Sequence, residues 1–415
     1  MCFLVFLAVT GQALGQYSGL RVAATGLELS QSPPPPPHLR WIVEDNGRHS
    51  EVLYSTFQSA VPSPYPKNQT VPIWVYLPDQ AKVKATSNKS KVPFVLVLHY
   101  LGAVNLDAEI SLAHRLNERG IAAVIIALPY HLSRTPPGYR SGQLAVVPNT
   151  DSITLTMIQS VWDARDAIMA AEQLPQISAK NPGIAGISLG SLVAENVFGI
   201  DRAIQHAAFI LGGCDIAKTL WNSQAVVGVK YQFLRKKVTL PILTRALAGI
   251  EPSFYLQSRT LEQPSPHSTL VISAEFDQVI PKFASNELIN SLDDPYRIRI
   301  DTGHYGGAFV QSRLESQVAD FFQDEDFGRQ YHPPRVVRAP TLRLAAQAMA
   351  GTGFDIGVGV DVFRTHQIRP FFGTFTATPR GIEMFVGQSI GNGLSIGGVG
   401  GTRGIGFGLF WSSIL

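Results

Sequence analysis

The stretch 182–191 holds a serine between two glycines, which is a residue pattern suited to nucleophilic chemistry. Gly186 and Gly190 stand two positions on either side of Ser188. An apolar run precedes the motif and a helix-compatible run, 192–198, follows it, so we predict a strand, a sharp turn and a helix. Such a turn lifts the hydroxyl out of a sheet, at a helix N-terminus that favours negative charge. Ser188 is therefore a candidate nucleophile, although a serine at this place can also serve only as a helix cap.

In this context the Gly-x-Ser-x-Gly motif resembles that of the α/β-hydrolase superfamily. The resemblance implies an acidic residue and then a histidine downstream, each just after a strand. The run 268–274 is predicted to be a buried strand, and Glu275 and Asp277 follow it. We prefer Asp277 as the acid because Glu275 lies closer to the strand, and Glu275 remains the alternative. The run 296–300 alternates, and His304 follows on a glycine-rich loop, where the superfamily keeps its base.

The same resemblance implies a second loop that stabilises an oxyanion. The apolar run 92–98 is predicted to be a strand that leads into His99, Tyr100 and Leu101. The superfamily often has a His-Gly-Gly-Gly-like sequence at this place, so Tyr100 is a departure. We expect the backbone N–H of Leu101, or that of Tyr100, to act with the N–H of Leu189. The His99 side chain either contacts substrate or holds the loop by hydrogen bonds, and the second role is favoured.

These residues are positioned by an alternation of strands and helices that extends over 71–322. Strands are predicted at 51–60, 71–77, 92–98, 121–128, 207–212, 268–274 and 296–300, and helices at 108–119 and 151–174. Alternation of this kind predicts an α/β fold with a mainly parallel sheet and with ligand chemistry at the carboxyl ends of its strands. The resemblance implies the α/β-hydrolase fold, with helices on both faces of the sheet.

Between residues 215 and 266 the alternation stops and the chain becomes mostly helix-like. This stretch contains several aromatic residues, among them Trp221 and Phe254. In the superfamily an insertion at this point is normally a cap over the site, so Trp221 and Phe254 are candidates for binding the substrate. Packing within the cap itself is the alternative role for both side chains.

The composition of the chain limits its class. Of its 415 residues 45% are hydrophobic and 16% are charged, which indicates a globular protein, and a net charge of +3 gives no reason to expect a nucleic-acid partner. The apolar start predicts a signal peptide over 1–15, and hence a secreted or periplasmic protein. An apolar terminal segment that packs on the body is the alternative. A proline-rich linker is predicted over 16–37, because five prolines in a row are stiff and extended.

Beyond residue 343 the sequence becomes glycine-dense and alternating, and we predict several β-hairpins in this C-terminal extension. A few short strands are marginal alone, so the segment 351–415 is expected to pack on the hydrolase domain (38–342), to self-associate or to meet a membrane. Its alternation resembles that of outer-membrane strands, but the strands are too few for a single-chain barrel of that kind.

Together these features predict a serine hydrolase that cleaves small or lipid-like carboxylic esters through an acyl-enzyme, with Ser188, His304 and Asp277 as its triad. This mechanism needs no metal and no organic cofactor. A lipase, an amidase or a peptidase of the same fold is the nearest alternative. A non-catalytic binding protein, with the C-terminal extension as its working part, is an alternative of another class.

Overall fold

The computed structural model describes residues 27–36, 38–47, 50–79, 91–326, 330–349, 353–364, 370–391, 393–401 and 404–414. The signal peptide predicted for residues 1–15 lies outside the described residues. The chain forms two compact units. The first comprises Met1–Ser273, Val279–Ile298 and Ser312–Pro333, and the second comprises Ala274–Gln278, Arg299–Gln311 and Pro334–Leu415.

The first unit is built on a sheet whose described strands follow the order β1-β2-β3-β5-β4-β6-β7-β8-β9. These strands are β1 (Ile42–Gly47), β2 (Ser50–Gln58), β3 (Thr70–Pro78), β4 (Phe94–Leu98), β5 (Ala122–Ile126), β6 (Gly183–Ile187), β7 (His206–Ile210), β8 (Thr269–Ala274) and β9 (Tyr296–Ile300). The pairs β1–β2, β2–β3 and β3–β5 are antiparallel, and the pairs β4–β5, β4–β6, β6–β7 and β7–β8 are parallel. The predicted mainly parallel α/β sheet is thus confirmed.

The central strands are apolar throughout because both faces of the sheet are covered. Every residue of β4 and of β5 is buried, as a parallel sheet between helical layers requires. The chain leaves β4 for β5 on one side and later returns to β6 on the other, so the order reverses beside β4. The loops that follow β4 and β6 diverge at such a point and leave a crevice at the carboxyl ends of the strands.

The described α-helices of the chain are α1 (Pro66–Gln69), α2 (Asp107–Asn117), α3 (Thr150–Glu172), α4 (Leu189–Ile200), α5 (Ile216–Asn222), α6 (Val227–Arg235), α7 (Leu240–Leu247), α8 (Pro252–Glu262), α9 (Lys282–Asn290) and α10 (Gln311–Asp326). Helices α5 to α8 form the predicted helical insertion between β7 and β8. None of the helices in the described residues combines the length and the hydrophobicity needed to cross a bilayer.

Residues that precede the predicted domain boundary at 38 contact the rest of the first unit. Leu29 is only 2% exposed and belongs to the main hydrophobic core. Arg165 on α3 donates from Nη1 to the carbonyl oxygen of Gln31 at 2.6 Å. The Leu29 side chain and the Gln31 carbonyl oxygen therefore hold this segment on the domain. The prediction of a linker over 16–37 is based on the prolines that follow.

The second unit contains a closed antiparallel barrel. Its strands are β11 (Leu342–Met349), β12 (Gly353–Arg364), β13 (Phe371–Thr378), β14 (Gly381–Gly391), β15 (Leu394–Gly401) and β16 (Gly404–Ile414). A two-residue strand, β10 (Val336–Val337), precedes them and pairs with Arg299 and Ile300 at the end of β9. The sequence predicts separate hairpins, but the structure closes them into one barrel because β16 pairs with β11.

The glycines of this barrel mark places where strands approach too closely for a side chain. A Cβ built at Gly357 would collide with the carbonyl oxygen of Ala377, and one built at Gly397 would collide with the carbonyl oxygen of Val386. Six strands enclose little volume, so the inward positions take small residues and a few larger ones. Phe372, Phe385 and Phe410 fill the middle, and the rings of Phe385 and Phe410 stack at 4.4 Å.

Candidate active site

Ser188 lies at the predicted turn between β6 and α4, in a backbone conformation that few residues adopt. Its φ is 53° and its ψ is −110°, and a non-glycine residue in such a region carries strain of about 1–3 kcal/mol. The N–H of Ser188 donates to the carbonyl oxygen of Ile210 at 2.8 Å, which ties the turn to β7. A Cβ at Gly186 would collide with the backbone of Gly190. The two motif glycines are therefore required by the closeness of strand and helix.

The loop predicted to stabilise an oxyanion lies next to this turn. A Cβ at Gly190 would collide with the carbonyl oxygens of Leu98 and His99, so the first turn of α4 rests directly on the end of β4. Leu189 is the first residue of α4, and the N–H groups of a first helical turn have no partner within their helix. The structure thus brings Ser188 and Leu189 together with the loop that contains Tyr100 and Leu101.

The His99 ring holds this loop and does not face a substrate. It is fully buried. Its Nε2 accepts from the N–H of Leu128 at 2.9 Å and its Nδ1 lies 2.9 Å from the carbonyl oxygen of Tyr100. Burial lowers the pKa of His99 to about 4, so the ring is neutral near neutral pH. The substrate-binding role considered for His99 is corrected by this geometry, since both ring nitrogens already serve the backbone.

A second buried histidine, His131, fixes the other end of the same loop. Its Nε2 accepts from the N–H of Gly102 at 3.0 Å and its Nδ1 lies 2.8 Å from the carbonyl oxygen of Pro129. The rings of His131 and His99 meet edge to face at 4.8 Å. Burial lowers the pKa of His131 well below its ordinary value. Two neutral imidazoles therefore act as backbone acceptors at the base of the predicted oxyanion loop.

Beneath these histidines lies a buried ion pair. Nη1 of Arg134 is 2.8 Å from Oδ2 of Asp163 on α3, and both side chains are fully buried. Arg134 also donates to the carbonyl oxygens of Ala127 and Asn68. This network ties the segment after β5 to the long helix that covers the sheet. Losing one partner of such a pair would leave a buried charge uncompensated.

A buried carboxyl group, Glu195, lies two turns along α4 from Ser188. Its Oε1 accepts from the Ser191 hydroxyl at 2.9 Å, and burial raises its pKa well above the usual range. A Cβ at Gly212, in the loop after β7, would collide with Glu195 and Ser191. Sequence reasoning missed Glu195, although a Glu-Asn pair within an otherwise apolar helix was a signal that could have identified it.

The acid and base predicted for the site meet in the second unit. Nδ1 of His304 lies 2.7 Å from Oδ2 of Asp277, and both side chains are nearly inaccessible. Glu275, the alternative acid, has Oε2 at 3.6 Å from Nη1 of Arg299. His304 begins the short 3₁₀ helix His304–Val310. The structure thus pairs His304 with Asp277, whose carboxylate fixes the Nδ1–H tautomer of the ring and leaves Nε2 as the basic nitrogen.

Residues around Asp277 contact the barrel within the second unit. The Ser413 hydroxyl on β16 donates to Oε1 of Gln278 at 2.9 Å, and the guanidinium of Arg364 stacks 4.0 Å from the ring centroid of Phe276. The Phe276 N–H donates to the carbonyl oxygen of Thr302. The neighbours of Asp277 on both sides are therefore held by the barrel strands. These strands are predicted from the sequence to form a separate C-terminal extension.

Two cap residues predicted to bind substrate lie in different places. Trp221 is half-buried on α5, which begins just after the loop that follows β7, on the same edge of the sheet as Ser188. Phe254 is 67% exposed on α8. Its neighbour Tyr255 packs on Gly199 near the far end of α4, about 16 Å along the helix from Ser188 at 1.5 Å per residue. The geometry favours Trp221 over Phe254 for contact with a substrate.

Comparisons with known proteins support the fold. An acetyl xylan esterase from Paenibacillus sp. R4 is similar over 69% of this chain and 89% of its own, with 16% identity and a TM-score of 0.52. An acylaminoacyl peptidase from Pyrococcus horikoshii matches 69% of this chain and 43% of its own, at 14% identity and a TM-score of 0.48. Est1E from Butyrivibrio proteoclasticus matches 71% of this chain and all of its own, at 12% identity and a TM-score of 0.45.

No protein-family model matches the sequence, and no curated protein sequence matches it. At such low identity the structural similarity establishes the fold alone. The chain has the α/β-hydrolase fold, with the six-stranded barrel as a C-terminal extension.

Proposed function

We propose that this protein is a serine hydrolase that cleaves carboxylic esters through a covalent acyl-enzyme. Ser188 is the nucleophile, His304 the general base and Asp277 the acid that orients it. The observation that carries the proposal is the strained turn at Ser188, because a serine is held at φ 53° only where the surrounding structure imposes that conformation. The Asp277–His304 hydrogen bond supports the assignment of the acid and the base.

In the first step Nε2 of His304 removes the proton from the Ser188 hydroxyl as the oxygen attacks the ester carbonyl. Asp277 keeps the other proton on Nδ1 and stabilises the imidazolium that forms. The negative charge that develops on the carbonyl oxygen is stabilised by the N–H groups of Leu189 and Leu101, with that of Tyr100 as the alternative to the latter. His304 then gives its proton to the leaving alcohol, and water releases the acyl group by the reverse sequence.

The proposal is tested by labelling the protein with a fluorophosphonate and locating the modified residue by mass spectrometry. We expect one label per chain, on Ser188, and Ser188→Ala should abolish both labelling and ester hydrolysis. Loss of a triad member costs several powers of ten in rate. Ser191→Ala is the matched control, since Ser191 lies one turn further along α4 and donates to Glu195, and it should still be labelled.

The labelling also separates the rival classes. A non-catalytic protein of this fold would take up no label. Hydrolysis by Ser188→Ala within about tenfold of the unaltered protein would falsify the assignment. An ester chain-length series, run beside anilide substrates, then distinguishes an esterase from a lipase and from an amidase or peptidase.

The acyl pocket is tested with two cap variants. Trp221→Ala should change the ratio of rates on long and short esters, because the indole lies on the helix that starts at the edge of the sheet where Ser188 lies. Phe254→Ala is the control and should leave that ratio unchanged, since its ring projects into solvent from α8. An equal change in both variants would contradict this assignment of the pocket.

A further inference from the structure

The barrel of the second unit has the opposite polarity to that of a water-soluble barrel. Its strand charges point inward, with Arg343, Asp355 and Glu383 at most 6% exposed, and the side chain of Asp361 is 5% exposed. Arg343 donates to both carboxylate oxygens of Asp361, at 2.5 and 2.8 Å, and to the hydroxyl of Ser412. Arg343 and Asp361 thus form an ion pair inside the barrel.

The outward positions of the barrel are apolar around most of its circumference. Fourteen large hydrophobic side chains on five of its six strands are at least 39% exposed: Phe354, Ile356, Val358, Val360, Val362, Phe371, Phe375, Ile382, Ile390, Ile396, Ile405, Phe407, Leu409 and Trp411. The sixth strand, β11, alternates in the same sense, with Arg343, Ala345 and Gln347 buried between more exposed Leu344, Ala346 and Ala348. The outer face therefore forms an apolar belt.

The area of this belt exceeds what soluble monomers expose. The five aromatic side chains of the belt have roughly 200 Å² each, and the nine aliphatic ones have less. With about half of each surface exposed, the belt amounts to on the order of 1,000 Å². The largest apolar patch on a typical monomer covers about 300–600 Å² and marks an interaction site. The belt therefore requires a covering partner.

The distribution of the belt decides which kind of partner fits. A second copy of the chain, joined by a two-fold axis, would cover one side of the barrel and leave the opposite strands exposed. A lipid phase surrounds a closed barrel on all sides and needs every backbone group paired, which barrel closure provides. An apolar outside with the strand charges turned inward is the polarity that hydrocarbon imposes on outer-membrane barrels, which have eight strands or more.

We propose that the outer face of the β11–β16 barrel is a lipid-binding surface that inserts into the acyl-chain phase of a membrane. The interior is filled by Phe372, Phe385 and Phe410 together with the Arg343–Asp361 pair, so the barrel acts as an anchor and not as a channel. Strands β12, β14 and β16 have 12, 11 and 11 residues, close to the 9–11 residues of a tilted strand that crosses a bilayer. Strands β11, β13 and β15 have 8 residues each, so the barrel enters the acyl-chain phase without every strand crossing it. The inference does not depend on the proposed ester hydrolysis.

The test compares two pairs of outward neighbours on opposite sides of the barrel. Val360 on β12 faces Phe375 on β13, and Ile396 on β15 faces Leu409 on β16, three strands away around the ring. The full chain is purified in mild detergent, mixed with phosphatidylcholine vesicles, freed of detergent by dialysis and floated through a sucrose gradient at high salt. The unaltered protein should float with the vesicles.

Both double variants, V360K/F375K and I396K/L409K, should lower the floating fraction at least tenfold, because each places two charges on the lipid-facing side. Leu261→Lys and Val104→Lys are the matched controls, since these residues are the most exposed large apolar side chains of the first unit, at 84% and 78%. Both controls should float like the unaltered protein.

A second measurement does not depend on how the lysine variants fold. Trp411 is 44% exposed on the outer face, so vesicles with brominated acyl chains should quench part of the tryptophan fluorescence, and Trp411→Phe should remove the quenched part. Protein that stays at the bottom of the gradient, with no quenching of Trp411, overturns the proposal. A second result also overturns the proposal. If the protein forms a discrete dimer on gel filtration without detergent, and only one of the two lysine double variants dissociates that dimer, then a second copy of the chain covers one side of the barrel.

Discussion

The buried histidine behind the predicted oxyanion loop makes the stability of the first unit depend on pH in a calculable way. We consider His99→Gln. A glutamine can accept from the Leu128 N–H and donate to the Tyr100 carbonyl oxygen, as His99 does, but it does not titrate. The difference in unfolding free energy between the two proteins therefore isolates the protonation of one ring.

The magnitude follows from the shift in pKa. Burial lowers the pKa of His99 from 6.5 to about 4, so between these values the unfolded chain binds a proton that the folded chain does not. Stability from the neutral ring is complete above about pH 6.5 and is lost as the pH falls toward 4. At 1.36 kcal/mol per pKa unit the full loss is about 3 kcal/mol, of which about 2 kcal/mol is lost between about pH 7 and pH 5.

The assay is urea unfolding followed by tryptophan fluorescence. In a Trp411→Phe background the remaining tryptophans are Trp41, Trp74, Trp162 and Trp221, which all belong to the first unit, so the signal reports that unit. The advantage of His99 over glutamine should shrink by about 2 kcal/mol from about pH 7 to pH 5. His114→Gln, which alters an exposed histidine on α2, is the control variant.

A difference between His99 and His99→Gln that stays constant within about 0.5 kcal/mol over this range would refute the reasoning. It would mean that the ring is accessible to protons in the folded protein. The loop after β4 would then lack the buried acceptors that we assign to it.

Two further predictions concern the acid and the loop. Asp277→Asn should lower ester hydrolysis by roughly 10⁴-fold, because the base then takes the wrong tautomer, whereas Glu275→Gln should stay within about tenfold; steady-state rates showing the reverse order would make Glu275 the acid. Gly142→Ala should slow fluorophosphonate labelling by about 100-fold, since its Cβ would lie 2.5 Å from Nε2 of His131 and displace the loop. Gly138→Ala shares the positive φ but meets nothing within 4 Å, and equal effects of the two would show that backbone strain, not the collision, is responsible.

The parts of the fold that sequence could predict are those set by local pattern. The turn at Ser188 followed from an apolar run, two glycines and a helix-compatible run within ten residues. Strands β4 and β5 followed from continuous apolar runs, because a buried parallel sheet permits no polar alternation. Strand β1 escaped prediction, since its sequence Ile-Val-Glu-Asp-Asn-Gly is polar and its first residues are exposed at the edge of the sheet.

Contacts between segments that are distant in the chain could not be predicted from the sequence. Nothing local connects Arg134 with Asp163, or shows that Glu195 is buried. In the barrel strands the alternation of residue types was visible in the sequence. Alternation alone does not determine which of the two alternating sets of side chains faces the interior. Phe354 and Ile356 would ordinarily be placed inside. They lie outside because the interior is already filled by Phe372, Phe385 and Phe410 and by the Arg343–Asp361 pair.

The set of chain segments that make up the second unit has a consequence for the order of folding. Asp277 and His304 are grouped there with barrel strands that follow them in the chain, and the barrel closes only when β16 reaches back to β11. Contacts between segments so far apart form late, because loop closure must be completed first. The turn at Ser188 follows β6, whose partner strands β4 and β7 both precede the barrel in the chain. A chain still under synthesis is therefore expected to form the turn at Ser188 before Asp277 and His304 are held in place, so that the proposed hydrolysis would begin only once the barrel is complete.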